Sequence, residues 1–325
     1  MNSGWLIGGA ALAVAAAYRC ACQLTGEELA QAWWDERELA RQELPELAAR
    51  FAGNPRVADI VATLTSIPSR LHLLPFTLKS LLRQTVRPRE IRLCLPEWSA
   101  REQCAYAIPP WLAELTAVTV TRCPDEGPAT KFLTTLGSVG PDQAVWVVDD
   151  DRVYHPRYLE RMESLARSHP GEILAGAGWS VPADRVDRPT TLRARWRQEP
   201  YVPLRANQVT TARRVDVVQG VHGYLVRPRF FDLEALGDFT PAPPAVRYVD
   251  DVWISAHAKA PRVVRPMALP FTDYKPWRTW RAVDRSSLGR NVNRSARAED
   301  RGNSIALRYF EGKGWLECGS GKGTG

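Results

Sequence analysis

The stretch from residue 57 to residue 150 constrains the fold most, because short apolar runs alternate there with segments of helical spacing. This alternation is typical of an α/β domain with a doubly wound, mostly parallel sheet flanked by helices. Ligands of such sheets bind beyond the carboxyl ends of the strands, so the residues directly after each strand are the first site candidates. The predicted strands are 57–64, 91–95, 118–121 and 144–148, and the predicted helices are 71–82 and 130–136.

Length and composition describe an ordinary folded protein. The chain has 325 residues, of which 45% are hydrophobic and 24% charged, close to the average of soluble globular domains. These values exclude a disordered chain, a collagen-like repeat and a polytopic membrane protein. The cysteines form no CxxC or metal-finger pattern, which favours reduced, structural thiols; they are residues 20, 22, 94, 104, 123 and 318.

The charge of the chain is basic and unevenly distributed. The net charge is +7, and Arg-rich stretches lie at 185–214 and 275–301. Because Arg binds phosphate through a rigid, forked guanidinium, these stretches favour a diphosphate or an anionic glycan as partner. A basic surface that is merely solvated is the alternative. The sequence carries no helix-turn-helix, RRM, KH or zinc-finger signature, so nucleic acid is not an expected partner.

The first fifty residues combine an apolar run with an acidic helical pattern. Residues 5–17 are uncharged, but they are fewer than the ~20 that a helix needs to cross a bilayer. A secretory signal, a membrane anchor helped by lipid on Cys20 or Cys22, and a plain buried or frayed N-terminus are open interpretations. The first two imply membrane association or a Golgi-like secretory location, and the third implies the cytoplasm. Residues 26–51 predict an acidic amphipathic helix that Pro45 must bend or divide.

Three consecutive carboxylates, Asp149, Asp150 and Asp151, follow the last predicted strand in the context VWVVDDDRVYHP. Such acids repel one another unless a cation or a basic side chain pairs with them. Mg²⁺ and Mn²⁺ prefer oxygen ligands and bind through one or two carboxylates plus substrate phosphates. Alternation along an extended segment points Asp149 and Asp151 to the same side, which makes them the predicted metal ligands. An acidic loop or a helix N-terminus is the alternative.

Five sequence blocks stand in a fixed order along residues 57–270. They are TLTSIPSRLHLLPFTLKSLLRQTVRPREIRLCLP (63–96), DEGPATKFL (125–133), DDD (149–151), VVQGVHGYLVRP (217–228) and YVDDVWIS (248–255). Together they resemble the GT-A-fold glycosyltransferases, in particular the family 2-like enzymes. The resemblance implies a GT-A-like domain that moves a sugar from a nucleoside diphosphate sugar to a hydroxyl acceptor. A glycan, a lipid-linked glycan, a protein or a small molecule would each fit as that acceptor.

The resemblance also implies a donor site. In related enzymes the residues after the first strand hold the base and ribose, and here these are Thr65, Ser66, Pro68 and Arg70. Lys131 follows a Gly-Pro turn, and its expected role is contact with phosphate or nucleotide. A solvent-exposed lysine at the start of a helix is the alternative for Lys131.

The metal and the base are assigned by the same resemblance. In similar enzymes the last Asp of the DxD-like motif, here Asp151, is the firmest metal ligand, and Asp149 is the second. A bound Mn²⁺ or Mg²⁺ would act there as a Lewis acid on the leaving diphosphate. Asp251 is the expected general base of an inverting displacement, with Asp250 as the alternate. Capping of the helix that follows is the other interpretation of this acidic pair.

A glycine-rich turn and two Arg-rich or aromatic segments complete the expected surroundings of the site. Gly220 would let the backbone approach the donor sugar closely. His222 would touch sugar or metal, and a hydrogen-bonded structural histidine is the other interpretation. The Arg-rich stretch 181–214 falls where acceptor-side insertions occur. The aromatic-basic stretch 274–281 would stack on sugar, fold over the site or join a minor core.

Two other functions compete with glycosyl transfer. The pattern from Asp149 to Val153 also matches the DxDx[TV] motif of phosphohydrolases, in which Asp149 would be the nucleophile. That family usually places its nucleophile after the first strand, whereas three predicted strands precede Asp149. A non-enzymatic module that binds anionic glycans is the second alternative, and it depends only on the Arg-rich stretches.

The sequence predicts three segments. Residues 1–56 hold the apolar run and the acidic helix, and residues 57–270 form the GT-A-like domain. Residues 271–325 form a basic-aromatic C-terminal extension that ends in a Gly-rich, disordered tail at 319–325.

Overall fold

The fold is that of a computed structural model in which residues 3–287 and 297–315 are described. The predicted disordered tail at 319–325 and Cys318 lie outside the described residues. In chain order the strands are β1 Val57–Thr65, β2 Arg87–Pro96, β3 Trp98–Ser99, β4 Cys104–Ala105, β5 Thr119–Cys123, β6 Ala144–Val147, β7 Val153–Tyr154, β8 Ile173–Ala175, β9 Ala177–Trp179, β10 Leu204–Arg205, β11 Arg213–Arg214, β12 Val217–Val218, β13 Tyr224–Val226, β14 Arg262–Val264 and β15 Asp273–Tyr274.

Helices of very different lengths connect and cover these strands. In chain order they are α1 Ser3–Thr25, α2 Leu29–Arg41, α3 Leu44–Gly53, α4 Pro75–Leu82, α5 Pro110–Ala113, α6 Thr130–Leu136, α7 Tyr158–Ser168, α8 Leu192–Trp196, α9 Leu233–Gly237, α10 Asp250–His257, α11 Trp280–Arg285 and α12 Gly302–Glu311.

Within the described residues, eight strands form one central sheet in the order β11-β14-β8-β13-β6-β1-β2-β5. The strands β5, β2, β1 and β6 are parallel neighbours, and β8 pairs in parallel with β14. Strand β13 lies antiparallel between β6 and β8. This confirms the predicted α/β class, and it is the architecture that the sequence resemblance implied: a doubly wound, mostly parallel sheet flanked by helices, with a helical N-terminal extension.

The predicted strands coincide with β1, β2, β5 and β6 because central parallel strands are buried on both faces and therefore read as continuous apolar runs. All four residues of β6 are buried. The prediction of one helix over 71–82 is wrong, since a 3₁₀-helix at Pro68–Leu73 precedes α4. Pro75 opens α4 at its first position, where its missing N–H costs no helical hydrogen bond. The predicted division of 26–51 near Pro45 is confirmed, because α2 ends at Arg41 and α3 begins at Leu44.

A buried aromatic cluster supports the loop that follows β6. The ring of Trp146 stacks on Tyr158 at a centroid distance of 5.4 Å and meets the edge of Tyr154 at 5.2 Å. The hydroxyl of Tyr154 accepts a hydrogen bond from the N–H of Asp149 at 3.1 Å, and the hydroxyl of Tyr158 donates to the carbonyl of His222 at 2.7 Å. The cluster therefore fixes the acidic loop and the glycine-rich turn relative to each other.

The N-terminal and C-terminal segments pack against each other on the sheet domain. A small apolar cluster joins α2 to β7 and β15 through Ala32, Leu39, Val153, Phe271 and Tyr274. Tyr274 of the aromatic-basic stretch thus belongs to this minor core, whereas Trp277 and Trp280 are partly exposed.

A buried carboxylate strengthens the same junction. Glu36 accepts hydrogen bonds from the backbone N–H groups of Trp277 at 2.7 Å and Arg278 at 2.9 Å. Asp35 pairs with Arg83 at 2.5 Å and accepts from the hydroxyl of Tyr274 at 2.8 Å. The division of the chain at 56 and 270 stays a prediction, and these contacts cross both boundaries.

The apolar run at 5–17 lies inside α1. Its interpretation as a buried segment is wrong for the described side chains from residue 9 onward, which are exposed; Leu12 is 74% accessible. No helix in the described part of the chain meets the length and apolarity required to cross a membrane. Cysteines 20, 22, 94, 104 and 123 are free thiols, as the sequence predicts for them.

Replacing Gly223 by alanine should destabilise the fold. Gly223 has a φ of 70°, and an added Cβ would lie 2.8 Å from Nε1 of Trp146. Both the left-handed backbone and the contact disfavour a side chain, so we expect a loss of about 1–3 kcal/mol in the free energy of unfolding. Urea denaturation measures it. Gly140→Ala, where an added Cβ meets nothing within 4 Å, is the control. Equal stability of the two variants would contradict the packing described here.

Candidate active site

A cavity of about 340 Å³ lies at the carboxyl ends of β1, β5 and β6, and the start of α10 forms a further wall. This is the location that a parallel sheet predicts for a ligand site. The structure brings most of the sequence-predicted residues into the lining of this one cavity: Thr65, Ser66, Arg70, Lys131, Asp149, Asp151, Asp250 and Asp251.

Lys131 lies at the centre of the acidic residues. It occupies the first turn of α6 and is only 5% exposed, so its interpretation as a solvent-exposed lysine is wrong. Its Nζ donates a hydrogen bond to Asp149 and lies within ion-pair distance, 3.0 Å, of Oδ2 of Asp250. Burial alone would lower the pKa of Lys131, but these two carboxylates raise it well above its ordinary value. A cationic lysine therefore joins the end of β6 to the start of α10.

Arg70 pairs with the other part of the acidic motif. Its Nη1 donates to Asp150 at 3.1 Å and lies 3.7 Å from a carboxylate oxygen of Asp151. Ser66 donates from its hydroxyl to the second oxygen of Asp150 at 2.5 Å. Arg70 also donates to the hydroxyl of Ser286 at 2.8 Å and to the carbonyl of Val283 at 3.0 Å. It thus connects the loop after β1, the acidic motif and the end of α11.

Asp151 is the acid of the motif that is least compensated. Among the described residues its carboxylate has the long contact with Arg70 and no hydrogen bond. Burial, together with the negative charges of Asp150 and Asp149, raises the pKa of Asp151 to about 6. A buried carboxylate of this kind gains free energy from a nearby cation, because the cation favours its charged form.

Asp251 is held by the glycine-rich turn. One of its carboxylate oxygens accepts a hydrogen bond from the N–H of Gly220 at 2.9 Å. Neither Asp250 nor Asp251 caps α10, because Val249 is the N-cap and both acids lie in the first turn. Burial and the charge of Asp250 raise the pKa of Asp251 well above its ordinary value, although Lys131 opposes this shift.

Gly220 fits closely against the charged cluster without lining the cavity itself. A Cβ at this position would lie 3.1 Å from Asp149, 3.2 Å from Asp251 and 3.2 Å from Nζ of Lys131. A side chain at Gly220, which begins the turn Gly220–His222, would make tight contacts with all three charged groups and require them to shift by a few tenths of an ångström.

Besides Gly220, two predicted site residues do not line the cavity. Pro68 begins the 3₁₀-helix that presents Arg70. His222 is buried and its Nδ1 lies 2.8 Å from Oδ1 of Asp273. The other carboxylate oxygen of Asp273, Oδ2, accepts a hydrogen bond from Nε of Arg152 at 2.6 Å. Burial lowers the pKa of His222. His222 is thus a buried, hydrogen-bonded histidine, and its predicted contact with sugar or metal stays a prediction.

The cavity also contains residues that the sequence analysis missed. Arg101 lines it and donates to the carbonyl of Ser286 at 2.5 Å. Tyr106 lines it and donates from its hydroxyl to the carbonyl of Ser66 at 3.0 Å. Both side chains come from the irregular segment around β3 and β4, where neither spacing nor a motif marks a site residue. Asp125, at the end of β5, was detectable as the first residue of the DEGPATKFL block.

Acids outnumber bases in this cavity. Within the described residues the lining holds six aspartates and three basic side chains, the latter being Arg70, Arg101 and Lys131. At about 4 Å and an effective dielectric constant near 20, one like-charge contact costs about 4 kcal/mol, more than a typical hydrogen bond contributes. A diphosphate would therefore need an additional cation to bind here.

The residues of the cavity fit a divalent cation whose ligands come partly from the protein and partly from a substrate. They do not fit a cation that is coordinated by protein side chains alone. In the described part of the chain no three His, Cys, Asp or Glu side chains are arranged to hold a metal ion together. Lys131 pairs with Asp149 and Arg70 with Asp150, which leaves Asp151 as the available carboxylate. Mg²⁺ sites commonly combine one or two carboxylates with substrate phosphates and water, and Asp151 suits that arrangement.

Comparison with known proteins gives a similarity at the level of structure. No family model matches the chain, and no curated protein matches its sequence. The fold is similar to the 1–349 segment of S. aureus TarS, with 13% identity and a TM-score of 0.41 over 66% of this chain and 60% of that chain. The same segment in complex with UDP gives 12% identity and a TM-score of 0.39 over 63% and 57%. The chain thus matches about three fifths of the TarS segment.

Lys131→Met should destabilise the fold strongly at neutral pH. The change leaves Asp149 and Asp250 without their buried counter-charge, which typically costs about 3–5 kcal/mol. The loss should shrink as the pH falls, because the raised pKa of Asp251 lets that acid take up a proton in the folded state at a higher pH than in the unfolded chain. Urea denaturation between pH 7 and pH 5 measures both effects.

The exposed Lys259 supplies the control for this experiment. Lys259→Met should change the free energy of unfolding by less than about 0.5 kcal/mol at each pH. If Lys131→Met were equally mild at pH 7, the lysine would not be the counter-charge of the cluster.

Proposed function

We propose that this protein is a glycosyltransferase that moves a sugar from a nucleoside diphosphate sugar to a hydroxyl acceptor with the help of Mn²⁺ or Mg²⁺. One observation carries the proposal: the acidic motif after β6 and the acidic pair of α10 line the same cavity at the carboxyl end of a parallel sheet. Asp151 and Asp251 both have raised pKa values there. Perturbed carboxylates in one cleft are characteristic of catalytic sites.

The loop after β1 is the proposed binding site of the nucleoside. Thr65, Ser66 and Arg70 line the cavity, and Thr65 is anchored by the bond from its hydroxyl to the carbonyl of Cys94 at 2.7 Å. Tyr106 holds the carbonyl of Ser66 from the opposite side. These hydrogen bonds hold the loop in place, and Arg101 in the same lining adds a positive charge for a phosphate.

Asp151 is the proposed protein ligand of the divalent cation, with Asp149 as the second candidate once Lys131 turns to the substrate. When bound, the cation would neutralise negative charge on the departing diphosphate. Lys131 and Arg70 keep the neighbouring carboxylates paired, so the cation does not have to compensate the whole cluster.

Asp251 is the proposed general base. The N–H of Gly220 orients its carboxylate. Burial and the charge of Asp250 raise the pKa of Asp251, which makes its carboxylate a stronger base than an exposed aspartate. A single oriented base that deprotonates the attacking hydroxyl suits an inverting displacement. In this proposal Asp250 is not the base; it pairs with Lys131 and so helps to hold the lysine in position.

The acceptor is a hydroxyl compound whose class the cavity does not specify; a glycan, a lipid-linked glycan, a protein and a small molecule fit equally. The phosphohydrolase alternative stays a prediction. Its nucleophile would be Asp149, whose carboxylate is already engaged by Lys131.

Metal-dependent turnover of one donor is the first expected result. Incubation with a panel of UDP- and GDP-sugars and Mn²⁺ should release nucleoside diphosphate from one of them. EDTA should stop that release, and Asp151→Asn should reduce it by at least about 100-fold because the cation loses its ligand. The matched control is the exposed Asp142→Asn, which should retain full activity. Release that continues in EDTA would remove the metal from the proposal.

Asp251→Asn should separate catalysis from donor binding. We expect kcat to fall by about 10²–10⁴-fold, the usual contribution of a general base, while the affinity for the donor changes little. Asparagine keeps the shape and can still accept the hydrogen bond from Gly220. Steady-state kinetics and donor titration measure the two quantities. A variant with wild-type kcat would show that Asp251 is not the base.

A further inference from the structure

A second cavity lies away from the carboxyl ends of the central strands, between α8 and the segments around β10 and β11. Its volume is about 330 Å³. The lining combines hydroxyl, amide and guanidinium groups, and its basic members are Arg195, Arg205 and Arg213. Glu199 is the single acid among its described lining residues. The charge of this cavity is thus opposite to that of the candidate active site.

The three guanidinium groups have no carboxylate partner among the described residues. None of them lies within 4 Å of a described Asp or Glu oxygen, although the structure contains many such pairs elsewhere. The Nε atoms of Arg195 and Arg205 are buried and have no hydrogen-bond partner in the described part of the chain. Buried donors without a partner are rare in folded proteins, and a bound anion would accept hydrogen bonds from such donors.

Arg205 is the most constrained of the three. Its side chain lies against the backbone of Gly26, where an added Cβ would fall 2.2 Å from Nη1 of Arg205. Gly26 has a φ of 72°, a backbone conformation that favours glycine. Burial and the nearby charges of Arg152 and Arg195 lower the pKa of Arg205 to about 10, although the carboxylates of Asp273 and Glu27 oppose this shift. An anion in the cavity would relieve this excess of positive charge.

The remaining lining groups hold Arg195 in place and leave its charge uncompensated. Nη1 of Arg195 donates to Oε1 of Gln208 at 3.2 Å and to the carbonyl of Gln23, at the end of α1, at 3.3 Å. The amide of Gln208 donates to the same carbonyl at 2.9 Å. These are neutral acceptors, so they orient the guanidinium without neutralising it.

We propose that this basic cavity binds a phosphate group through Arg195 and Arg205, with Arg213 at its rim. Guanidinium groups recognise phosphate through paired, charge-assisted hydrogen bonds, and the free donors of this cavity match that chemistry. The site does not depend on the glycosyltransferase proposal, because none of its residues lines the first cavity.

The phosphate can belong to a soluble compound or to the headgroup of an anionic lipid. Exposed apolar side chains near the cavity are an argument for the second source. The last turn of α1 contacts Arg195 of the cavity through the carbonyl of Gln23, and the same helix exposes apolar side chains such as Leu12 and Val14. Trp196 of α8, which directly follows the cavity residue Arg195, is 86% exposed. The two sources share one chemistry and are distinguished by experiment.

Calorimetric titration with inorganic phosphate and pyrophosphate, at fixed ionic strength and with EDTA, tests the site. The wild-type protein should bind one equivalent. Arg205→Met and Arg195→Met should each weaken the affinity by about tenfold or more, the effect of losing one charged contact. Arg193→Met, in the same helix but exposed and outside the cavity, should bind as the wild type does. Asp151→Asn, which alters only the first cavity, should also bind normally.

Stability and lipid binding complete the test. Arg205→Met should remain folded, since replacing an uncompensated buried charge by an apolar side chain is typically neutral or stabilising; if it does not fold, Arg195→Met decides.

Flotation with vesicles of phosphatidylcholine alone or with phosphatidylglycerol identifies the source of the phosphate. Binding to the anionic vesicles that Arg205→Met and Arg195→Met lose supports a headgroup, and binding in solution alone supports a soluble phosphate.

Two results would overturn the proposal. The first is a wild-type protein that binds neither phosphate, pyrophosphate nor anionic vesicles. The second is binding that Arg195→Met and Arg205→Met retain at the strength of the Arg193→Met control.

Discussion

The buried ion pair of Lys131 is the interaction on which the candidate site depends. Its Nζ joins Asp149, at the end of β6, to Asp250, at the start of α10, which are more than a hundred residues apart in sequence. Without this cation the carboxylates of two elements could not lie in one cavity, because each would raise the energy of the others. Gly220 leaves the space that the cluster needs and orients Asp251. The lysine thus permits the acids of two elements to line one cavity.

The two cavities described above have opposite charges, and this difference determines what each can bind. The first has twice as many acids as bases in its described lining, so a cation would offset the repulsion that a diphosphate meets there. The second has three arginines and one glutamate in its described lining, so an anion can bind to it directly. A protein that binds a nucleotide at one site and a second phosphate compound at another would use both cavities. The net charge of +7 predicts neither the acidic nor the basic cavity.

The sequence predicts the strands and the acidic residues because both have local signals. Buried parallel strands are continuous apolar runs, and the residues directly after them, such as Asp149, must lie at one edge of the sheet. Arg101 and Tyr106 could not be predicted, because tertiary contacts alone bring their irregular segment to the cavity. His222 lies in the glycine-rich turn, as predicted, but its imidazole pairs with Asp273, which is fifty-one residues later in the chain, and does not line the cavity. Spacing carries no information about such a partner.

The central claim is that the acidic cavity binds a diphosphate only together with a divalent cation held by Asp151. The most direct test is calorimetric titration of UDP and GDP into the wild-type protein and Asp151→Asn, each in Mn²⁺ and in EDTA. The account predicts that one nucleotide binds to the wild type in Mn²⁺, and that EDTA or Asp151→Asn abolishes this binding. Nucleotide affinity that is the same in EDTA and Mn²⁺, or unchanged in Asp151→Asn, would contradict it.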